Sequence, residues 1–214
     1  MSSVPSTRLK QAAAYALKRL ENELPADLTY HDVGHTRDIV VPAAQRLAEL
    51  HDLSSWENDL LIAAAWFHDI GFIERYENNE VLAAEIATDA LPRFGYTKDE
   101  IAIIAEIILA TSLPHDPQSR LQAIMIDADM DSLGREDFVT IADGLRKEEK
   151  RYLNRDKDDI EWYTYEMNFL RSQRYFTTPQ RYYRTPGKLQ NFMRLYRLRQ
   201  KAISTQATNR KKSG

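Results

Sequence analysis

No cysteine occurs in the 214 residues. Disulfides, thiolate metal ligands and a cysteine nucleophile are therefore excluded, and any metal must be held by imidazole and carboxylate. Glycine is scarce at seven residues, and stretches alternating apolar with polar are few. A sheet-rich fold relies on such alternation, whereas apolar residues here recur at three and four, so the chain reads as all-α. No apolar run approaches the ~18 residues of a membrane span. The opening Met1–Ser6 lacks a basic stretch followed by an apolar core, and the expectation is a cytoplasmic protein with no membrane partner. Acidic residues disappear after Glu166, while twelve Lys and Arg follow it. The first 166 residues then carry 17 basic and 32 acidic side chains, a formal balance of −15 hidden inside a net −3. No nucleic-acid motif accompanies the basic segment. Its apolar residues, among them Phe169, Leu170, Phe176, Phe192 and Leu195, point to a helical extension docked on the acidic body rather than a nucleic-acid arm.

What is present is polar chemistry inside apolar context. His68-Asp69 closes the run Leu60-Leu61-Ile62-Ala63-Ala64-Ala65-Trp66-Phe67. A buried carboxylate costs several kcal/mol unless something pairs with it or a metal takes it. His31 and His35 stand four apart in Tyr30-His-Asp-Val-Gly-His-Thr36, and Asp127 and Asp129 sit within Met125-Ile-Asp-Ala-Asp-Met130. On a helix His31 and His35 face one cleft. Asp127 and Asp129 are about 200° apart, so only one of them faces inward from regular helix. Adjacent His68 and Asp69 can act on one site only where a helix ends, and Gly71 is consistent with such an end.

Capping pairs Thr29/Asp32, Ser54/Glu57 and Thr97/Glu100 mark helix starts. Helices are expected near 6–22, 30–51, 55–68, 79–92, 98–111, 118–132, 135–153, 158–174 and 179–203. Pro186-Gly187 is expected to kink or split the last one, and residues 204–214 have little to bury and are expected to be disordered.

The ordered set His31…His35…His68-Asp69…Asp129 resembles the HD superfamily of metal-dependent phosphohydrolases, over about residues 29–135. Tyr30-His31-x-x-x-His35 is also similar to the opening motif of cyclic-nucleotide phosphodiesterases. The resemblance implies a single HD-domain helical bundle over 1–155, with 156–203 as the basic helical extension packed on it. It implies His35, His68, Asp69 and Asp129 as metal ligands, Asp69 also counting with His31 among the catalytic residues, and His31 as the proton donor. Ala128-Asp129 followed by Leu133-Gly134 favours Asp129 over Asp127. The donor set suits Mn, Fe, Mg, Zn or Ni without discriminating among them.

The implied activity is hydrolysis of a phosphomonoester or phosphodiester by metal-activated water, with a small phosphorylated substrate, first of all a nucleotide. Apart from the resemblance, the missing nucleic-acid motif leaves nucleic acid an unexpected partner, and a homodimer stays open. The region around Asn78-Asn79-Glu80 carries no histidine, which counts against a two-metal site; His115 and Glu80 remain open as additional groups. Alternatives are a di-iron oxygenase of the same fold and a non-catalytic regulatory HD domain. His115 is expected near the pocket. Arg146, Lys147, Arg171 and Arg174, among the C-terminal aromatics, are candidates for phosphate binding.

Overall fold

The computed structural model describes residues 5–212. Among them are nine α-helices and no strand: α1 (Thr7–Glu23), α2 (Val41–Leu50), α3 (Ser55–Phe67), α4 (Asn79–Ala90), α5 (Lys98–Leu109), α6 (Arg120–Asp129), α7 (Phe138–Tyr152), α8 (Asp159–Ser172) and α9 (Thr178–Lys212). No described helix is long and apolar enough to cross a membrane. The all-α expectation holds.

Two of the three capping pairs act as expected. The Ser54 and Thr97 side chains accept from the third backbone N–H of α3 and α5, and Glu57 and Glu100 return the bond. Thr29 does something else. Its hydroxyl donates to the Gly144 carbonyl at 2.8 Å, while Asp32 accepts the His35 N–H at 3.0 Å. Residues 29–32 are therefore bends, and the expected helix over 30–51 begins late. Its first stretch, His35–Val40, is a π-helical turn in which the Val41 N–H reaches back five residues to the Thr36 carbonyl. Pro42 is the physical reason at hand: it has no N–H to continue the four-residue ladder, and the turn widens just before it.

Helices α1–α6 enclose the main core, centred on fully buried Leu47, Leu60, Leu61, Phe67, Ile104 and Ile124. A second core gathers Leu133, Phe138, Ala142, Trp162, Leu170, Tyr175 and Leu195. The basic segment is thus held by apolar burial, and α7 shares that core with it. One polar anchor joins the two parts. Buried Asp131 accepts from Arg184 Nε at 2.8 Å, Arg184 Nη2 at 2.6 Å, Arg46 Nη2 at 2.6 Å and Gln180 Nε2 at 2.9 Å.

The last helix departs from expectation twice. It runs unbroken through Pro186. The carbonyl that Pro186 leaves without its helical N–H partner belongs to Tyr182, a strongly exposed residue, where solvent can replace the missing donor at low cost. Gly187 packs against the Gly134 backbone so closely that a Cβ would lie 2.1 Å from the Gly134 carbonyl oxygen, and this approach clamps the middle of α9. Residues 204–212 are helical rather than disordered. Ser204 and Thr208 hydroxyls donate to carbonyls four residues back, at 3.0 and 2.9 Å. Extending a formed helix adds a bond per residue without a new nucleus, so the stretch persists although residues 204–210 are exposed.

Candidate metal centre

Four elements converge on one point. α3 ends at Phe67; His68 follows in helical conformation, and Asp69 turns away with φ −104° and ψ 5° into a 3₁₀ turn over Ile70–Ile73. This break lets neighbouring residues face the same point. Gly71 secures it, because a Cβ there would sit 2.0 Å from the Asn79 carbonyl oxygen at the start of α4. His35 enters from the π-helical turn and Asp129 from the end of α6.

The resulting cluster is buried, with His68 at 1% exposure and His35 at 3%. His35 Nε2 lies 3.1 Å from Asp129 Oδ1 and 3.4 Å from Asp69 Oδ2. His68 Nε2 lies 3.1 Å from Asp69 Oδ2 and 3.6 Å from Asp129 Oδ1. Donors about 2.1 Å from a shared ion stand about 3.0 Å apart at right angles and about 3.4 Å apart at tetrahedral angles. The observed spacings fit that pattern.

Hydrogen bonding fixes one tautomer. The Ala65 carbonyl can only accept, so His68 Nδ1 donates to it at 2.9 Å. In the neutral ring the Nε2 lone pair then faces two carboxylates, and neither His68 Nε2 nor Asp69 Oδ2 has a hydrogen-bond partner among the described residues. A backbone carbonyl orienting the far nitrogen is the arrangement that metal-ligating histidines use. Two neutral nitrogens and two carboxylates balance a divalent cation. The residues fit a metal: buried His35, His68 and Asp129 form a group that can hold one, with Asp69 Oδ2 in contact with both rings.

The electrostatics agree. Burial lowers the His68 pKa, but Asp69 and Asp129 outweigh it and the net pKa lies well above the ordinary value. Burial raises the Asp129 carboxyl, yet the hydrogen bond from His35 and the adjacent His68 ring bring it well below the usual carboxylate range. The pocket therefore places strong positive charge demand next to its carboxylates.

Asp127 points the other way. Its carboxylate accepts the N–H groups of Phe176 and Thr177 at 2.7 and 2.8 Å, anchoring the entry to α9. The 200° argument thus separates the two aspartates: Asp127 serves the extension and Asp129 faces the histidines.

His31 lies outside regular helix, in the bend after Tyr30, yet its ring stands 5.9 Å from that of His35. Its partner is Glu148 of α7, which sequence reading passed over. His31 Nδ1 donates to Glu148 Oε2 at 2.7 Å, and Glu148 Oε1 accepts the backbone N–H groups of His31, at 2.8 Å, and of Tyr30. Phe72 stacks on the imidazole at 4.1 Å. Burial depresses the His31 pKa, but the Glu148 hydrogen bond and the nearby aspartates raise it overall.

The signal for Glu148 lay in Gly144, one turn earlier on the same face. A Cβ at Gly144 would come 2.4 Å from the Thr29 carbonyl oxygen, so glycine lets the bend approach and Glu148 meets it. Within Lys147-Glu148-Glu149-Lys150 the residue looks like part of a solvated charge run; it is fully buried.

His31, Asp69 and Asp129 line a cleft of about 150 Å³, with Asn79, Glu80 and Leu113 among its other walls. His115 lies outside it. Its Nε2 contacts the Thr111 carbonyl at 3.2 Å, and it lines an adjoining cavity of about 560 Å³ that shares Leu113 with the cleft. Of the four basic candidates, Arg174 reaches that cavity, whereas Arg146 donates to Asp159 at 2.8 Å. No model of a known family, no curated protein and no solved structure matches the chain.

Proposed function

We propose that the protein is an HD-type, metal-dependent phosphohydrolase acting on a phosphomonoester or phosphodiester, with a nucleotide as the first candidate. The observation that carries this reading is the buried quartet of His35, His68, Asp69 and Asp129, whose mutual distances match the edges of a coordination shell and whose His68 lone pair has no other partner. A divalent ion held by these four residues supplies a water activated at neutral pH and charge to offset the phosphoryl oxygens.

The remaining work falls to the chain. His31, locked by Glu148 through Nδ1, turns Nε2 toward the cleft and delivers a proton to the leaving oxygen. Phe72 holds the ring plane. A cleft of about 150 Å³ has room for a phosphoryl group and not for a whole nucleotide, since drug-sized ligands occupy ~300–1,000 Å³. The rest of the substrate lies in the adjoining cavity between Leu113, His115, Phe169 and Arg174.

Elemental analysis, together with hydrolysis of bis(p-nitrophenyl) phosphate and phosphate release from nucleotides in Mn, Fe, Mg, Zn or Ni, tests the reading. His68→Ala should lose metal and hydrolysis together. Glu148→Gln should keep the metal and slow hydrolysis by roughly 10²-fold or more, the scale of a lost general acid. A His68→Ala protein with full metal content and activity would sink the proposal.

A further inference from the structure

A third cavity, of about 510 Å³, opens between α8 and α9. Its charged lining is entirely cationic: Arg171, Arg174, Arg181 and Lys188. None of these four forms an ion pair among the described residues, whereas Arg184 of the same helix is bound to Asp131. Arg181 spends its donors on the Phe176 and Thr177 carbonyls and the Thr178 hydroxyl.

Lys188 is half-buried. Its ammonium donates to the Gln173 carbonyl and stands 5.4 Å from the Tyr175 ring centre, leaving two of its three protons with no protein acceptor among the described residues. Burial lowers its pKa, as expected of a cation without a counter-ion. Leu170, Leu189 and Phe192 supply the apolar part of the lining.

We propose that this cavity binds a small amphiphilic anion, a phosphate or phosphonate head carried on an apolar body. The head meets the half-buried Lys188 together with Arg171 and Arg174, whose exposed guanidiniums border the same opening and can bind an anion in charge-assisted fashion. The body lies on Leu170 and Phe192, which accounts for a hydrocarbon wall beside four charges. None of its lining residues lies in the metal cleft, although Gln173 and Arg174 also border the cavity proposed for the remainder of the substrate.

Titration calorimetry of the full-length protein with octylphosphonate, whose carbon–phosphorus bond resists hydrolysis, tests the proposal. Saturable one-to-one binding is expected, with octanol and inorganic phosphate each binding far more weakly. The double variant Lys188→Met/Arg171→Gln should weaken binding roughly tenfold or more, the scale of one lost charge-assisted bond. Thr185→Trp fills the cavity and leaves every charge in place, so it should abolish binding, with thermal unfolding confirming that both variants are folded. His68→Ala should bind octylphosphonate as the unmodified protein does. No saturable binding, binding indifferent to the folded Thr185→Trp variant, or binding lost in His68→Ala would each overturn the proposal.

Discussion

Glu166 offers a direct test of how burial is balanced in the second core. Its side chain sits on α8 at 2% exposure, and Oε1 has no hydrogen-bond partner among the described residues. Its neighbour Glu149 already takes the available donors, the Lys157 ammonium and the Tyr165 hydroxyl. Desolvation and the Glu149 charge push the Glu166 carboxyl up to about 8 from an ordinary 4.5. The folded protein therefore keeps a proton that the unfolded chain releases near 4.5. Between those two values the folded state binds more protons, so stability falls as pH rises through the window. At ~1.36 kcal/mol per pKa unit the loss is about 3 kcal/mol at pH 7 and at most about 5 kcal/mol above pH 8.

Glu166→Gln retains the shape and removes the titration. Urea unfolding of both proteins at about pH 5 and about pH 8.5 isolates the effect, since every other titrating group is common to the two. The advantage of the variant should grow by at most about 4 kcal/mol between those pH values, read as a shift in midpoint at constant slope. If the two stabilities run parallel across the range, Glu166 is ionised at neutral pH and the argument from its burial fails.

Asp131→Asn should cost about 3–5 kcal/mol, because it leaves Arg46 and Arg184 facing a buried position that no longer carries charge. Arg37→Gln, at an exposed pair with Asp38, should leave the unfolding midpoint essentially unmoved in the same denaturation assay, because solvent screens such a pair. Gly71→Ala should cost about 1–3 kcal/mol, as a methyl carbon 2.0 Å from the Asn79 carbonyl forces the start of α4 away. Thermal unfolding with elemental analysis should show metal retention falling with it, since Gly71 holds the turn that aims Asp69.

Helix periods and capping pairs were legible in the sequence because they are local. Ser54/Glu57 and Thr97/Glu100 need only four residues to declare a helix start. Thr29/Asp32 shows the same pattern and fails, because Thr29 finds a better acceptor in the Gly144 carbonyl, 115 residues away in sequence. The same long-range approach hides Glu148. Within its charge run Glu148 looks solvated, and only Gly144 one turn earlier marks the face that a distant backbone bend covers. Pro186 misled for the complementary reason: its local cost is real, but it depends on whether the carbonyl it leaves unbonded is buried or in water, and Tyr182 is exposed.

Similar reasoning separates the two aspartates of α6 more firmly than motif likeness does. A helix places Asp127 and Asp129 on opposite sides, and each side presents a different kind of partner. Asp127 meets two backbone N–H groups at the entry to α9, donors that stabilise a carboxylate without any ion. Asp129 meets two imidazoles, one of which has already committed its only proton to the Ala65 carbonyl. A neutral His68 beside Asp69 and Asp129 is a lone pair facing negative charge, so the arrangement is stable only with a proton or a cation between them. The strongly raised His68 pKa is the proton solution; the ligand-like spacing of the four donors leaves room for the cation solution as well.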